Sequence, residues 1–394
     1  MKALVFDKSK TDWETSRGFD LADIPEPTLD KTNPADDNYV IIRVHYAGIC
    51  GTDRGIWNRV AFRDAILNTI DEQIKNGGNP YRIIGHEFFG EIIKIGSKVK
   101  NVKIGDFTSS ESHLFCQNCY QCLRGQREVC TNETILGIHH DGGLAEFIKL
   151  PAYVLWKTDT AKIRPEVATM QEPFGNAVHA GSKVDLKDKT IAIFGLGPIG
   201  MFLTLVAKGL GAKLIIGVEP NPIAIDMAKK LGIDYVIPLH QSTNQPINVS
   251  NNIKPYAHDE NVVKEIKKIT DNVGVDVSFE MSGFNNSVNN AIASVRRGGD
   301  VILFGFKLGQ FVLDEDFNKL VMKGITMHAV AGRQLWPTWE ITQQLFEEKA
   351  NGIQEKMFNV ILNGGQGTVL PISEYSKERF EDMMAKHPKL LVTF

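Results

Sequence analysis

The chain has 394 residues, more than the roughly 250–300 at which a single hydrophobic core stops growing, so two domains are expected. Hydrophobic residues make up 43% and charged residues 23%, which excludes disordered, collagen-like and coiled-coil proteins. The formal net charge is −3, and the absence of a dense basic run gives no support to a nucleic-acid partner, so small-molecule partners are expected.

The amino terminus carries no pattern of membrane targeting. Acidic residues begin at Asp7, too early for a signal peptide. No stretch approaches the roughly 20 apolar residues of a membrane span. We therefore expect a cytoplasmic protein with no membrane partner.

An isolated cysteine follows the first clear strand pattern. Residues 39–44 form an apolar run that predicts a strand, and Cys50 follows within GICGTD at 48–53. A free cysteine more often fills a core than performs chemistry. Further on, phenylalanine or isoleucine recurs every fourth residue from Phe62 to Ile74, which predicts an amphipathic helix.

The segment GHEFFGE at 85–91 brackets His86 and Glu87 with glycines that permit close backbone approach. Together with Cys50 these residues offer one thiolate, one imidazole and one carboxylate. Such a set can hold zinc and leave a fourth position open, as catalytic zinc requires. Alone, each segment also fits a strand end and a turn.

The other four of the five cysteines cluster in a C-x2-C-x2-C-x7-C pattern. They are Cys116, Cys119, Cys122 and Cys130. Short loops with two intervening residues let four sulfurs converge on a tetrahedral structural zinc. Two disulfides would require an oxidising compartment, and an iron–sulfur cluster has similar spacing but a proline after its last cysteine, where Thr131 stands here. Zinc is favoured, and a site closed by four protein ligands has no place for a substrate.

A dinucleotide-binding pattern begins near residue 189. An apolar run at 189–194 passes into GLGPIG at 195–200 and then into a helical stretch. The loop contributes the cofactor-binding candidates Gly195, Gly197, Pro198, Ile199 and Gly200. Strand, glycines and helix stand in the order that places a pyrophosphate on the helix amino terminus.

The acid expected to bind the cofactor ribose is Glu219, which ends the next strand about 20 residues after the last glycine. A carboxylate there repels a 2′-phosphate, and Pro220, Asn221 and Pro222 offer no arginine, so NAD is favoured over NADP. The alternative is that Glu219 only caps the helix over 221–231.

Alternating strands and helices continue to about residue 325 and predict a doubly wound parallel sheet. Strands are expected at 233–237, 275–280 and 300–305. Because cofactors lie beyond the carboxyl ends of such strands, Gly283 and Gly305 are expected to border the nicotinamide cofactor.

The motifs GICGTD, GHEFFGE, the four-cysteine segment and GLGPIG together resemble the zinc-dependent medium-chain alcohol dehydrogenases over nearly the whole chain. The resemblance implies an α/β protein with a GroES-like, mainly β catalytic domain over 1–174 and 326–394. It implies a Rossmann NAD-binding domain over 175–325. Relatives are usually homotetramers or homodimers.

The resemblance also implies roles for individual residues. Cys50, His86 and Glu87 would hold catalytic zinc, with Glu172 close enough to join or leave the coordination shell. Thr52 matches the hydroxyl that passes the alcohol proton outward. For Glu172 the alternative is an acid that caps a helix before Pro173.

Three stretches are similar to the L-threonine 3-dehydrogenase branch, namely EPFGNAVH at 172–179, GR at 332–333 followed by TW at 338–339, and DGGLAEF at 141–147. The branch implies oxidation of L-threonine to 2-amino-3-oxobutanoate. His113 matches a position near the substrate pocket, and Arg333 suits a carboxylate or a pyrophosphate. Arg54 instead resembles sugar dehydrogenases.

Two features depart from that branch. Gly55 stands where a relay histidine is common, so water, His45, His113 or His179 would complete proton release, or the substrate is not threonine. Residues 58–79 form an insertion whose helix would either border the cleft or be a peripheral decoration. Polyol or aldose oxidation is the first alternative function, and a non-catalytic NAD-binding protein is a remote one.

Overall fold

The computed structural model describes residues 1–239, 256–305, 310–314 and 317–394. They form two units, one comprising Met1–Pro173 with Gln334–Phe394 and the other Phe174–Arg333. Within the described part of the chain, no helix is long and apolar enough to cross a membrane.

Eighteen strands are described in the two units. They are β1 (Lys2–Asp7), β2 (Asp20–Asp23), β3 (Tyr39–Gly48), β4 (Tyr81–Ile83), β5 (Glu87–Ile95), β6 (Phe107–Ser110), β7 (His113–Leu114), β8 (Thr134–Ile135), β9 (Phe147–Pro151), β10 (Leu155–Lys157), β11 (Thr190–Phe194), β12 (Leu214–Glu219), β13 (Tyr235–Pro238), β14 (Val275–Glu280), β15 (Val295–Leu303), β16 (Thr326–Ala329), β17 (Val369–Pro371) and β18 (Leu391–Thr393).

The α-helices follow the same order along the chain. They are α1 (Gly51–Trp57), α2 (Arg63–Lys75), α3 (Tyr120–Leu123), α4 (Pro165–Ala168), α5 (Gln171–Gly181), α6 (Pro198–Gly209), α7 (Pro222–Leu231), α8 (Glu260–Ile269), α9 (Asn285–Ser294), α10 (Pro337–Glu347), α11 (Ile353–Lys356) and α12 (Lys377–Lys386).

The first unit is built on a seven-stranded sheet. Its order is β10-β6-β5-β3-β18-β17, with β9 also paired to β3. A three-stranded sheet, β2-β1-β4, and the pair β7-β8 complete the strands. The inner faces of β3 and β5 contribute Val40, Ile42, Phe88 and Ile92 to one apolar core, and burial of such side chains is the main driving force for folding.

The antiparallel pairing of β3 with β5 determines where the first metal motif forms. Gly48, at the end of β3, lies opposite Glu87, at the start of β5. Cys50 follows two residues later as the amino-terminal cap of α1. A side chain at position 48 would not fit, because its Cβ would lie 2.3 Å from Glu87 Oε2.

The second unit contains a six-stranded parallel sheet in the order β13-β12-β11-β14-β15-β16. Strands β11 and β14 are nearly fully buried, as expected when helices cover both faces of a parallel sheet. The order reverses direction between β11 and β14, which creates the crevice where doubly wound folds bind ligands. The predicted α/β fold class is confirmed.

The predicted end of the coenzyme domain at residue 325 is too early. Strand β16 begins at Thr326 and pairs in parallel with β15, so the sheet extends beyond that position. The second unit ends at Arg333. The sequence pattern missed β16 because it is a short edge strand with two exposed ends.

Helix α2 confirms the predicted amphipathic pattern in part. Ile66 and Ile70 are completely buried, whereas Ile74 is 43% exposed near the helix end. Residues on its other side, Thr69 and Glu72 among them, line a cavity of about 790 Å³ in the first unit. None of the predicted site residues lines that cavity.

Candidate metal centres and cofactor site

The structure brings the three predicted ligands of the first metal site together. One ligand atom each of Cys50, His86 and Glu87 lies within 4.8 Å of the other two. His86 and Glu87 are buried, and Cys50 is partly exposed. The β3–β5 pairing and the start of α1 therefore create a compact thiolate–imidazole–carboxylate group.

Asp53 lies next to Cys50 and His86. It was not predicted from the sequence as a site residue. It is completely buried, and its Oδ2 accepts a 2.8 Å hydrogen bond from the backbone N–H of Cys50. Its Oδ1 lies 3.8 Å from His86 Nδ1. Aspartate three residues after a helix cap is a capping-box signal, which could have identified it.

The charges in this group act on His86. Burial alone would lower its pKa, but the negative charges of Cys50 and Asp53 outweigh burial and raise the pKa well above the ordinary value. Burial raises the pKa of Asp53, opposed by His86. The local environment therefore favours positive charge at the imidazole position.

The donor set fits zinc. Glu87 Oε1 is buried without a hydrogen-bond partner among the described residues, an arrangement that costs free energy unless something else pairs with such an atom. His86 Nδ1 instead faces Asp53 Oδ1 at 3.8 Å, which leaves the other ring nitrogen for a metal. Sulfur, nitrogen and oxygen donors are those that zinc accepts, and three protein ligands leave a fourth position for a substrate.

The second oxygen of Glu87 is occupied by a lysine far away in the sequence. Lys389 Nζ forms an ion pair with Glu87 Oε2 and donates a 3.2 Å hydrogen bond to the Ile49 carbonyl. Burial raises the pKa of Glu87, and the Lys389 charge opposes that effect. No sequence signal near Glu87 indicates this partner.

Arg54 fixes the segment that carries Lys389. Its guanidinium donates hydrogen bonds of 2.6–3.2 Å to the carbonyls of Met384, His387 and Pro388. Arg54 therefore binds the backbone of the last turn of α12 and of the segment that follows it, and its resemblance to sugar dehydrogenases stays a prediction.

Glu172 lies near this group but is not a member of it. It stands in the first turn of α5 and is 3% exposed. Its charge acts on Asp53, His86 and Glu87. Its Oε1 accepts a 2.7 Å hydrogen bond from the Ser112 hydroxyl. Coordination by Glu172 stays a prediction.

The remaining predicted catalytic residues have separate environments. Thr52 Oγ1 lies 3.8 Å from Cys50 Sγ, within the same turn. His113 Nδ1 lies 3.0 Å from Glu133 Oε2. His45 packs edge-on against Phe107 at 5.5 Å. Of these three described residues, Thr52 is the one that contacts Cys50, and proton-transfer roles for the histidines stay predictions.

Two further candidates lie in the second unit. His179 Nδ1 is 2.9 Å from the Gly332 carbonyl. Arg333 donates a 2.9 Å hydrogen bond to Asn176 Oδ1 and is 2% exposed. The predicted interaction of Arg333 with a carboxylate or a pyrophosphate stays a prediction.

Position 55 has no room for the relay histidine of the related branch. A Cβ at Gly55 would lie 2.8 Å from the Cβ of Ala61. Ala61 belongs to the 58–79 insertion, and Val60 donates a 2.9 Å hydrogen bond to the Gly55 carbonyl. The insertion therefore excludes a side chain there.

The four clustered cysteines form a second compact group. Their sulfur atoms all lie within 4.8 Å of one another, and all four thiols are free. Cys130 Sγ lies 3.6 Å from Cys116 Sγ and 3.8 Å from Cys119 Sγ. Four sulfurs at about 2.3 Å from a tetrahedral zinc would be separated by about 3.8 Å, so the group fits structural zinc.

Backbone amides donate hydrogen bonds to some of these sulfurs. Cys116 N–H donates to Cys130 Sγ, and Cys119 N–H donates to Cys116 Sγ, each at 3.3 Å. Backbone hydrogen bonds lower the pKa of Cys116 and lower that of Cys119 to about 6. Burial instead raises the pKa of Cys130 and raises that of Cys122 to about 12. Two of the four thiols are therefore already disposed to be the thiolates that zinc binds.

The glycine loop has the geometry of a dinucleotide site. Gly195 has φ +96°, and a Cβ at Gly200 would lie 2.1 Å from the Gly195 carbonyl oxygen. Above Gly197 there is open space within 4 Å, where a pyrophosphate can approach the amino terminus of α6. Pro198 is the first residue of that helix and Ile199 is the second.

Glu219 is held in place by two backbone amides. Its Oε2 accepts from Leu196 N–H at 2.7 Å and its Oε1 from Asn221 N–H at 2.9 Å. The cap of α7 is Asn221, whose side chain accepts from Ile223 N–H. Asn221, and not Glu219, therefore caps α7, and the binding of ribose by Glu219 stays a prediction.

Glu219 lines a cavity of about 260 Å³ with Gly195, Ser282 and Phe284. Glu280, absent from the sequence predictions, holds the turn that contributes Ser282 to this cavity, because its Oε1 accepts from Ser282 N–H at 2.8 Å and from Gly283 N–H at 3.0 Å.

Gly305 packs against the same turn. A Cβ there would lie 2.3 Å from Gly283 N and 2.4 Å from Glu280 Oε2. The predicted cofactor-binding glycines Gly283 and Gly305 therefore pack against each other beside this cavity.

Comparison with protein families identifies the family of this chain. Residues 36–160 match the alcohol dehydrogenase GroES-like domain, and residues 198–348 match the zinc-binding dehydrogenase family. The chain belongs to the zinc-binding alcohol dehydrogenase family, which confirms the resemblance read from the motifs.

The chain is similar to curated L-threonine 3-dehydrogenases. It is 37% identical to that of Pyrococcus horikoshii over 83% of this chain and 84% of the relative. It is 33% identical to that of Caldanaerobacter subterraneus subsp. tengcongensis over 90% of both. The fold is that of the 2R,3R-butanediol dehydrogenase from Bacillus subtilis, with TM-score 0.77, 22% identity, and 100% of this chain and 99% of that chain covered.

Proposed function

We propose that the protein oxidises the secondary hydroxyl of L-threonine to give 2-amino-3-oxobutanoate, with NAD as the hydride acceptor. The observation that carries the proposal is the identity of 37% to an L-threonine 3-dehydrogenase over 83% of this chain. The thiolate–imidazole–carboxylate group of Cys50, His86 and Glu87 supplies the matching chemistry.

Different residues of the chain would bind the zinc, accept the substrate proton and bind the cofactor. When bound, zinc supplies the Lewis acidity that lowers the pKa of the substrate hydroxyl. Thr52 would accept the proton from the substrate hydroxyl oxygen while its own hydroxyl proton passes outward, and bound NAD would supply the acceptor for the hydride on the carbon that bears this hydroxyl. The glycine loop would hold the pyrophosphate of the cofactor, and Glu219 would hold its ribose.

NAD is favoured over NADP by the charge at the ribose subsite. Glu219 places a carboxylate in the 260 Å³ cavity. Hydrogen bonds from two backbone N–H groups fix the orientation of this carboxylate. A 2′-phosphate would meet like charge there.

The proposal extends to cell location and assembly. Five free thiols are compatible with a reducing, cytoplasmic compartment. A homotetramer or homodimer follows from the family resemblance alone, and sedimentation measurements test it.

A substrate panel tests the function. Zinc-loaded protein is assayed for NADH formation with L-threonine, sorbitol and glucose. We expect kcat/KM for L-threonine to be at least about tenfold above the others, since a site that hydrogen-bonds its substrate rejects analogues lacking those groups. Faster oxidation of sorbitol or glucose would assign the enzyme to polyols or aldoses. Absence of NADH with all substrates would favour a non-catalytic NAD-binding protein.

A further inference from the structure

The cavity of about 790 Å³ beside α2 has a volume within the range of about 300–1,000 Å³ that is usual for small-molecule sites. Helix α2 and its carboxyl-terminal cap belong to the 58–79 insertion and contribute Thr69, Glu72, Gln73 and Asn76 to the lining. Because residues three and four apart share one face of a helix, these side chains form a polar wall. None of the candidate metal ligands lines the cavity.

Arg82 brings a buried positive charge to the same cavity. It is 3% exposed, and its Nη1 donates a 3.1 Å hydrogen bond to Asp141 Oδ1 while Nη2 donates one of 3.4 Å to Thr69 Oγ1. Its Nε has no hydrogen-bond partner among the described residues. Asp141 Oδ1 also accepts from Ile83 N–H at 3.0 Å, and the Asp141 side chain is 44% exposed. The Arg82 charge is therefore compensated only in part, and a buried charge favours full pairing.

His139, which also lines the cavity, adds an uncharged donor near Arg82. Its Nδ1 accepts a 3.0 Å hydrogen bond from Ile135 N–H, so the ring proton is on Nε2. Burial, with the positive charge of Arg82, lowers the pKa of His139. The imidazole is therefore neutral at pH 7 and offers Nε2–H to an acceptor.

Glu72 presents a negative charge to the cavity from α2. It stands three residues after Thr69, which contacts Arg82, and side chains at this spacing on a helix are about 5–6 Å apart. Arg82 forms its described ion pair with Asp141 and not with Glu72. Glu26 lines the same cavity with a second carboxylate. Opposite charges therefore face one pocket without pairing with each other.

We propose that this cavity binds a free α-amino acid as a zwitterion, with its carboxylate on Arg82 and His139 and its ammonium on Glu72. A guanidinium presents planar N–H donors that suit a carboxylate. A simple anion would meet the like charge of Glu72, and a simple cation would meet that of Arg82, whereas a zwitterion complements both. Lys149 also lines the cavity but is paired with Asp36 at 2.6 Å. The inference does not rest on the proposed function.

Calorimetric titration of the zinc-loaded protein with glycine and with L-valine, in the absence of NAD, tests the site. Both probes carry the two charges, and neither has a hydroxyl to oxidise. We expect saturable binding of at least one probe below about 10 mM, and a Kd at least about tenfold higher in Glu72→Gln and in Arg82→Gln, the loss expected for one charged hydrogen bond. Because Arg82 is buried and Glu72 is exposed, Glu72→Gln is the decisive variant.

The matched control is Asp71→Asn, which removes the adjacent carboxylate of α2. Asp71 pairs with Lys8 and does not line the cavity, so this variant should bind both probes as the wild type does. Absence of saturable binding of both probes to the wild type, or equal Kd values for Glu72→Gln and Asp71→Asn, overturns the proposal.

Two analogues of L-valine test the need for both charges. Isovalerate lacks the amino group and isobutylamine lacks the carboxylate, and each should bind at least about tenfold more weakly than L-valine. Isovalerate that binds as tightly as L-valine, or that binds more tightly to Glu72→Gln than to the wild type, would define a simple anion site and overturn the proposal.

Steady-state kinetics separate this cavity from the site of the reaction. Glu72→Gln should keep kcat and KM for L-threonine within about twofold of the wild type. A KM that rises in parallel with the Kd for L-valine would make the cavity part of the substrate site and overturn the proposal of a second site. The titrations contain neither NAD nor an oxidisable alcohol, so a failure of the proposed dehydrogenase function would leave their result unchanged.

Discussion

Lys389 and Glu87 form a buried ion pair that joins the end of the chain to a ligand of the candidate catalytic metal. The lysine side chain is 2% exposed and the glutamate side chain is completely buried. The pair holds one carboxylate oxygen of Glu87 while the other, Oε1, has no hydrogen-bond partner among the described residues. Lys389 therefore orients the Glu87 carboxylate by binding Oε2, and Oε1 is left without a hydrogen-bond partner among the described residues.

Replacement of Lys389 by Met should destabilise the metal-free protein strongly, because no zinc ion then compensates the Glu87 carboxylate. Loss of one partner leaves an uncompensated buried charge, which costs about 3–5 kcal/mol. Urea unfolding measures the change. The matched control is Lys386→Met, which breaks an exposed pair with Asp382 and should change the unfolding free energy by less than about 1 kcal/mol. Equal effects of the two substitutions would contradict the role of Lys389.

Gly55 and Ala61 should be energetically coupled. Helix propensity alone would make Gly55→Ala stabilising by about 1 kcal/mol, but the new Cβ would lie 2.8 Å from that of Ala61, and overpacking costs about 1–3 kcal/mol. We expect Gly55→Ala to be stabilising only when Ala61 is also replaced by Gly. A double-mutant cycle with no coupling energy would show that the insertion does not exclude a side chain at position 55.

His179 should make stability depend on pH. Burial lowers its pKa from 6.5 to about 4, so the unfolded chain binds more protons between these values. Stability from this residue is complete above about pH 6.5 and is lost as the pH falls toward 4. His179→Asn, which cannot titrate, should therefore lose less unfolding free energy between pH 7 and pH 5 than the wild type does. Identical losses in the two proteins would refute this assignment.

Glu280 should contribute to cofactor affinity through the turn it holds. Glu280→Gln converts one acceptor oxygen into a donor, so Ser282 and Gly283 lose part of their support. Loss of a charged hydrogen bond of about 1.5 kcal/mol corresponds to about a tenfold rise in the NAD dissociation constant. Calorimetric titration measures it. The exposed Glu265→Gln on α8 is the control and should bind NAD as the wild type does.

Local motifs explain what could be predicted from the sequence. The strand, glycine loop and helix around Gly195 are adjacent in the chain, as are the four cysteines from Cys116 to Cys130. Their geometry depends mainly on spacing over a few residues. Strand β14, Val275–Glu280, matches its predicted bounds for the same reason.

Long-range contacts explain what was missed. Lys389 reaches Glu87, and Ser112 reaches Glu172, only because the folded sheet and α5 place them together. No periodicity or spacing encodes such pairs. Edge strand β16 was missed because its exposed residues weaken the apolar signal on which strand prediction depends.

The most direct test of the central claim compares Cys50→Ser with Cys122→Ser. Zinc content and NADH formation with L-threonine are measured for both and for the wild type. We expect two zinc ions per wild-type chain and one in each variant. Cys50→Ser should lose turnover while still binding NAD, whereas Cys122→Ser should lower thermal stability and retain turnover in its folded fraction, because a closed four-thiolate site performs no chemistry. Turnover by Cys50→Ser at the wild-type rate would contradict the assignment of Cys50, His86 and Glu87 as the catalytic metal site.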